Sequence, residues 1–428
     1  MRRFLLLGLL VYGLLLLGLL TLQRSALVLA IPAAVYLLAA LIYAPDEPRL
    51  RVQRTLSARQ VAPHAPVHVR LTVRNDGAAL EELTLEDGVP TTLTILEGEP
   101  RRLLSLGAGE QVELAYTVSG PRGEYEFDGV RVRASEYLGL FRHIRHLPIS
   151  DYLLVVPEIS FLHEVAIRPR RTHGFAGPVP ARRGGPGVEF YGVREYHFGD
   201  PLRWVNWRAS ARHERTLYTN EYEQERITDV GLILDARQRN NVVAHDDSLL
   251  EHGVRATAAL ADLFLRDGNR VGLLIYGWYL DWTFPGYGKV QRQRIMRALA
   301  RARAGAGIVF ETLDSLPVRY FPAHSQIVMI SPLCPEDVAV LRRLRARGYQ
   351  LIVVSPDPVQ WEAPTFSGER NAELAIRIAR IERDLLLRRV AKIGVRVVNW
   401  QVDRPLDQVL YATLGRLPQE QRSLERVL

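Results

Sequence analysis

Between Gly187 and Arg212 the chain concentrates carboxylates, guanidinium groups and aromatic rings without any amphipathic period. Glu189, Glu195 and Asp200 are the candidates for acid–base or hard-cation chemistry, because clustered carboxylates can hold a proton or offer oxygen ligands. No second histidine and no recognisable ligand spacing accompanies them. His197, Asp200 and Ser210 are the residue types of a hydrolytic triad, but no nucleophile elbow surrounds Ser210. The composition fits a structural clasp better. Arg194, Arg203 and Arg212 would make forked pairs with Glu189, Glu195 and Asp200, while Trp204 and Trp207 pack against a neighbouring domain. A partner-docking surface would use the same residues. Just upstream, Arg168, Arg170, Arg171, Arg182 and Arg183 alternate with glycines and prolines, which reads as an exposed loop.

The elements that must position this segment lie on both sides of it. After Arg226 the pattern alternates short apolar strands with amphipathic helices, the signature of a doubly wound α/β domain over 227–428. Val230–Leu234, Val271–Tyr276, Ile327–Ile330, Leu351–Val354 and Val395–Val398 read as its strands. Leu374, Ile378, Ile381 and Leu385 mark the apolar face of a long helix that Gly394 ends. Ligand sites in such sheets lie at the carboxyl ends of the strands, which here carry Asp235, Ser331 and Ser355.

Before the segment, residues 49–157 alternate with period two. Val67, Val69, Leu71 and Val73 are the clearest example, and turn signals such as Asn75-Asp76-Gly77 and Gly120-Pro121-Arg122-Gly123 follow. Short alternating strands at this spacing predict an all-β immunoglobulin-like sandwich. Residues 158–226 would then link the two domains. Phe4–Leu22 and Ala26–Ala44 are apolar runs separated by Gln23, Arg24 and Ser25. They predict a transmembrane helical hairpin over 1–48, in contact with lipid through residues 4–44. Arg2 and Arg3 before it, and Arg49, Arg51 and Arg54 after it, place both ends in the cytoplasm. The expected location is the cytoplasmic membrane, with the soluble domains on the cytoplasmic side.

The formal net charge is +8, and Lys289 and Lys392 are the only lysines. This arginine bias fits a GC-rich genome and an anionic lipid surface better than nucleic acid, for which no zinc spacing or RNA-binding signature is present. No GxxxxGK[ST] loop is present either. Cys334 is the single cysteine, so no disulfide closes within the chain.

Gly187-x-Glu189, Arg194-Glu195-Tyr196, Gly199-Asp200, Arg203, Trp207 and Ser210-Ala211-Arg212, set between a strand-rich region and an α/β domain, resemble the domain-of-unknown-function-58 family. Gly139-Leu140-Phe141 adds to the resemblance, which extends over nearly the whole chain. It implies a prokaryotic protein whose α/β part is similar to a von Willebrand factor type A domain. It also implies an association with MoxR-type AAA+ ATPases in chaperone-like assembly, and no established enzymatic activity. Domains of that type often hold a metal through an Asp-x-Ser-x-Ser loop. Here Asp235 is in place but Arg237 and Arg239 stand at the serine positions, and Ile330-Ser331-Pro332-Leu333 lacks a carboxylate. No cofactor is therefore expected, and magnesium, which needs several oxygen ligands, is disfavoured. The arginine loop could instead receive a partner's carboxylate. The expected function is a membrane-anchored, non-enzymatic interaction module that meets an AAA+ ATPase or its client. The alternative is a membrane-associated hydrolase or transferase of cell-envelope metabolism using Glu189, Glu195 and Asp200.

Overall fold

The computed structural model describes residues 2–21, 24–42, 47–135, 142–163, 179–213, 216–226, 228–244, 247–305, 312–313, 316–317, 320–323, 325–366 and 371–414. Gly139-Leu140-Phe141 and the arginines at 168, 170 and 171 lie outside them. The chain divides into two units, Met1–Val156 and Pro157–Leu428, and residues 158–226 belong to the second.

The expected transmembrane hairpin is not supported. The first unit opens with helices α1 (Arg2–Thr21) and α2 (Arg24–Ile42). Among the described residues no helix is long and apolar enough to cross a membrane. Both helices take arginine into the first turn. Pro32 also lies inside α2, where its ring removes an internal hydrogen bond. The fold is instead two N-terminal helices followed by β-rich and α/β parts with several sheets.

Among the described residues of the first unit, nine strands follow: β1 (Leu50–Leu56), β2 (Gln60–Val61), β3 (Val67–Asn75), β4 (Leu80–Asp87), β5 (Thr94–Gly98), β6 (Arg101–Leu106), β7 (Gln111–Ser119), β8 (Gly123–Ser135) and β9 (Arg142–Val155). They form sheets of order β1-β3-β7-β5 and β2-β9-β8-β4-β6. Leu71 and Val73 of β3, Leu83 and Leu85 of β4, and Val130 and Val132 of β8 share one buried cluster, so the two sheets pack face to face as a sandwich. The alternation in β3 causes this: Val67, Val69, Leu71 and Val73 point inward while His68, Arg70 and Arg74 face out.

An ion pair is buried in the sandwich. Arg54 forks onto Asp87, its Nε donating to Oδ2 at 3.2 Å and its Nη2 to Oδ1. Its remaining donors reach the carbonyls of Ile149 and Gly129, each at 3.2 Å, and its guanidinium lies 5.1 Å over the Phe127 ring. The Tyr116 hydroxyl also donates to Asp87, at 2.6 Å. Burial and then the Asp87 charge push that hydroxyl far above its ordinary value. Gly129 has φ of +33° in a bulge of β8, and a Cβ there would come within 2.5 Å of His146 and of the Leu147 carbonyl. A side chain at 129 would therefore displace this bulge, whose Gly129 carbonyl accepts from Arg54.

The second unit contains β10 (Val179–Glu195), α3 (Trp207–Ser210), β11 (Tyr218–Arg226), β12 (Asp229–Asp235), β13 (Val243–Ala244), β14 (Asp247–Ser248), α4 (Leu249–Arg266), β15 (Arg270–Tyr276), β16 (Leu280–Gly286), α5 (Gly288–Arg301), β17 (Gln326–Ile330), α6 (Asp337–Ala346), β18 (Gln350–Pro356), α7 (Pro358–Glu362), α8 (Ala372–Lys392), β19 (Arg396–Trp400) and α9 (Leu406–Leu414). Its main sheet has the order β16-β15-β12-β17-β18-β19, parallel throughout except for the edge strand β16. β12 and β17 are buried along their whole length, which explains their unbroken apolar reading. From β12 the chain goes first to β15 on one side and later to β17 on the other. The carboxyl ends of β12 and β17 therefore flank the switch point, where this architecture opens a crevice.

Candidate functional site

Two constellations carry the candidate residues. The first is the hairpin formed by β10 and β11, which pair antiparallel, together with the segment between them. Gly187 and Glu189 fall in β10, but the side chain of Glu189 lies outside the described residues. Arg194, near the end of β10, forks onto Asp200: Nη1 donates to Oδ2 and Nη2 to Oδ1, both at 2.8 Å. Its Nη1 also donates to the Glu195 carbonyl at 2.9 Å, and its Nε lies 3.6 Å from Glu221. The His197 amide donates to Asp200 at 2.9 Å, and the Tyr196 hydroxyl to the Asp200 carbonyl at 3.2 Å. Gly199, at φ +109°, makes this reversal possible.

Beyond the turn, Asn206 caps α3 by accepting from the Ala209 amide at 2.9 Å, and its own amide donates to Asn220 of β11 at 2.7 Å. Ser210 is buried and works for the backbone: its Oγ donates to the Asn206 carbonyl at 2.8 Å and accepts from the Tyr218 amide at 2.8 Å. A hydroxyl so engaged is a structural pin.

The clasp is narrower than the three pairs expected. Arg194 and Asp200 meet, but Glu195 is exposed, Arg203 lies over the neighbouring Trp204 ring at 5.8 Å, and Arg212 is exposed. Among the described residues, Glu195, Arg203 and Arg212 make no ion pair. Trp207 is 67% exposed and Leu202 69%, and Phe198 is fully exposed. The polar network thus holds a frame, and apolar side chains stand outside it.

The Arg194 fork, followed by the His197 amide, holds the Asp200 carboxyl at about 2, against an ordinary 3.8. A carboxylate lowered in the folded state stabilises above its unfolded value and loses that contribution as pH falls through the folded one. The turn is therefore expected to keep its full order down to pH 3.8 and to loosen as the pH approaches about 2. In Arg194→Gln the Asp200 midpoint should rise part of the way toward 3.8, because the His197 amide remains. An NMR titration of the Asp200 carboxyl carbon reads this, and an unchanged midpoint would contradict it.

The second constellation is the switch point. Asp235 ends β12 and is buried. It accepts from Arg237 Nε at 2.9 Å, Arg237 Nη2 at 2.7 Å, Asn240 Nδ2 at 2.6 Å and Ser331 Oγ at 2.6 Å. Arg237, only 1% exposed, forks again on its other side to Asp337, at 3.0 and 2.8 Å. Burial alone would lower its basicity, but Asp235 and Asp337 outweigh that and hold it above its ordinary value. Asp337 also accepts from the Cys334 amide at 2.8 Å, at the start of α6. Ser331 further accepts from the Leu333 amide at 3.0 Å, and Leu333 adopts φ +65°. Arg239 is different: it is partly exposed and reaches the exposed Glu336 at 2.9 Å. Ser355 serves the scaffold, donating to the Pro332 carbonyl at 3.1 Å and accepting from the buried Arg383 at 3.1 Å.

The donor set does not fit a divalent cation. The Arg237 guanidinium sits between the two aspartates, where a cation would have to bind, and takes up their oxygens. Among the described residues no group of three or more His, Cys, Asp or Glu side chains could hold a metal. The carboxylate missing from the Ser331 loop is supplied from farther along the chain, by Asp337. Sequence reading missed Asp337, Asn240 and Asn206. For Asp337 a signal exists: Glu336-Asp337 opens the helix after β17, so its carboxylates must lie near the carboxyl end of that strand.

Residues 192–366 match the family model described as "Protein of unknown function DUF58". The match supports the DUF58 family. It takes in the Arg194–Asp200 turn and the Asp235–Arg237–Asp337 cluster, while most of β10, with Gly187 and Glu189, precedes it. No curated protein matches the chain. Among solved structures, the CARDB domain of a Pyrococcus furiosus protein in complex with di-metal ions is 17% identical, with a TM-score of 0.21, covering 27% of this chain and 99% of that one. The cupredoxin domain of amoB from Nitrosocaldus yellowstonii is 11% identical, with a TM-score of 0.19, covering 25% and 86%. A non-cellulosomal cohesin from Archaeoglobus fulgidus is 11% identical, with a TM-score of 0.18, covering 25% and 91%. Likenesses at these scores establish neither a shared fold nor a function.

Proposed function

We propose that the chain is a non-enzymatic protein-interaction module that works with a MoxR-type AAA+ ATPase in chaperone-like complex assembly or maturation. The observation that carries this reading is the exposure of Leu202 and Trp207 on a segment pinned by the Arg194–Asp200 fork, the Asn206 cap and the Ser210 hydroxyl. An exposed tryptophan and an exposed leucine on one pinned segment are the side-chain chemistry that anchors protein partners. Rigid presentation reduces the ordering cost of binding. Of the candidate carboxylates, Asp200 is held by the Arg194 guanidinium, and at the switch point Asp235 and Asp337 are both held by Arg237. Arg237, saturated internally, is not free to receive a partner's carboxylate.

The test is affinity capture of the full chain from its own host with identification of what binds, comparing wild type with Leu202→Ala/Trp207→Ala. Both side chains are exposed, so the variant should fold. A MoxR-type ATPase captured by wild type, with recovery reduced at least about tenfold in the variant, is the expected result. Equal recovery from both would move the docking site elsewhere. No ATPase from either would overturn the reading.

A further inference from the structure

The apolar stripe of α8 faces the wrong way for a core helix. Leu374, Ile378, Ile381 and Leu385 are 48–58% exposed. The side of α8 turned inward instead carries Arg383 and Val390, which are buried, with Leu386 and Leu387 partly buried against the main core. Arg383 is there for a reason: it donates to the carbonyls of Pro332, Ser355 and Pro356 and to Asn399 Oδ1, tying the carboxyl ends of β18 and β19 to the loop after β17. The helix therefore docks on the sheet through a buried cation and the aliphatic residues around it, and the four residues of the stripe remain exposed.

Their spacing is four, three, four, which is the d-a-d-a seam of a coiled coil. With Leu374 and Ile381 at d and Ile378 and Leu385 at a, Arg377 and Asp384 fall at g, and Glu382 and Arg389 at e. In a parallel two-stranded pair each g residue meets the e residue five positions on in the partner. Arg377 then faces Glu382, and Asp384 faces Arg389, so both contacts join opposite charges. These four side chains are exposed and make no ion pair among the described residues. An antiparallel pair would join only Arg377 to Asp384, leaving Glu382 and Arg389 unmatched.

We propose that α8 is a self-association seam, which pairs in parallel with α8 of a second copy of this chain. The helix has 21 residues, about 31 Å, and is already folded, so association orders side chains only.

The test is the mass of the full-length chain by sedimentation equilibrium over a range of concentrations, with circular dichroism as the check on folding. Wild type should rise toward the mass of two chains. Arg377→Glu, which sets like charges against each other twice, should weaken association by roughly tenfold. Arg377→Glu/Glu382→Arg should restore it, since the swapped charges meet again only in a parallel pair. Ile378→Asp/Ile381→Asp should abolish it while the helix content is unchanged. Leu374→Cys should cross-link to its own counterpart on oxidation, with wild type as control, because an antiparallel pair separates the two by about 16 Å. A chain that stays monomeric leaves the seam to some other helix and overturns the proposal. So does a dimer that ignores these variants, or one that forms without the Leu374→Cys cross-link.

Discussion

Arg237→Met is expected to destabilise the Pro157–Leu428 unit by about 3–5 kcal/mol, the usual cost of removing one partner from a buried ion pair. Methionine fills most of the volume, so the loss is electrostatic. Asp235 and Asp337 would face each other with no cation between them, both close to fully buried. Asp235 would retain Asn240 and Ser331, and Asp337 the Cys334 amide, but neutral donors do not balance two charges. Adding Asp337→Asn to the same variant should recover part of the loss, because one of the two stranded charges disappears. Urea denaturation read by tryptophan fluorescence measures both. A loss below about 1 kcal/mol in the single variant would mean that water reaches the aspartates and that the guanidinium is not their counter-ion.

The second large effect lies in the other unit. Arg54→Met should destabilise the sandwich by about 3–5 kcal/mol, because it strands Asp87 under both sheets and leaves the Gly129 and Ile149 carbonyls without their donor. Tyr116→Phe should cost less, about 1.5–3 kcal/mol, since it removes one hydrogen bond to a charged acceptor and leaves the ion pair. The order of the two variants is the informative result. If Tyr116→Phe were the worse, Asp87 would owe its burial to the hydroxyl and not to the arginine. Chevron or equilibrium denaturation of the full chain resolves it, provided the two units' transitions are followed separately.

These two arginines also mark how far the sequence could be read. Strand alternation was legible at Val67, Val69, Leu71 and Val73, since a half-buried strand imposes period two on its residues. Buried strands β12 and β17 were legible as apolar runs. Arg54 and Arg237 look like any other arginine in a chain rich in them; what buries them is a partner 33 residues away in one case and 100 in the other. Asp235 could be placed at a strand end, and the serine positions around it could be seen to hold arginine, but not that one arginine turns inward as the cation. The α8 stripe marked a long helix, but a single sequence does not show whether an amphipathic helix covers its apolar side with its own sheet or with another chain. The N-terminal apolar runs suggested a membrane hairpin. Among the described residues, the helices over Arg2–Thr21 and Arg24–Ile42 each carry arginine in the first turn, and neither is long and apolar enough to cross a membrane.

In the candidate site the outcome was mixed for a similar reason. Arg194 and Asp200 are six residues apart, and a glycine between them allows a reversal, so their pairing could be foreseen. Arg203 and Arg212 were expected to pair as well. They lie on a short helical stretch and just past α3, where Asn206 and Ser210 already satisfy the backbone and, among the described residues, neither makes an ion pair.

The most direct measurement of the docking account is site-specific photo-cross-linking in the living host, with a photoreactive amino acid placed at Trp207. The account predicts a covalent adduct whose partner, identified by mass spectrometry, is a MoxR-type AAA+ ATPase, and predicts that the same probe placed at Val243, an exposed position in β13, gives none. Adduct formation with the ATPase from Val243 and not from Trp207, or no ATPase adduct from either, would contradict it.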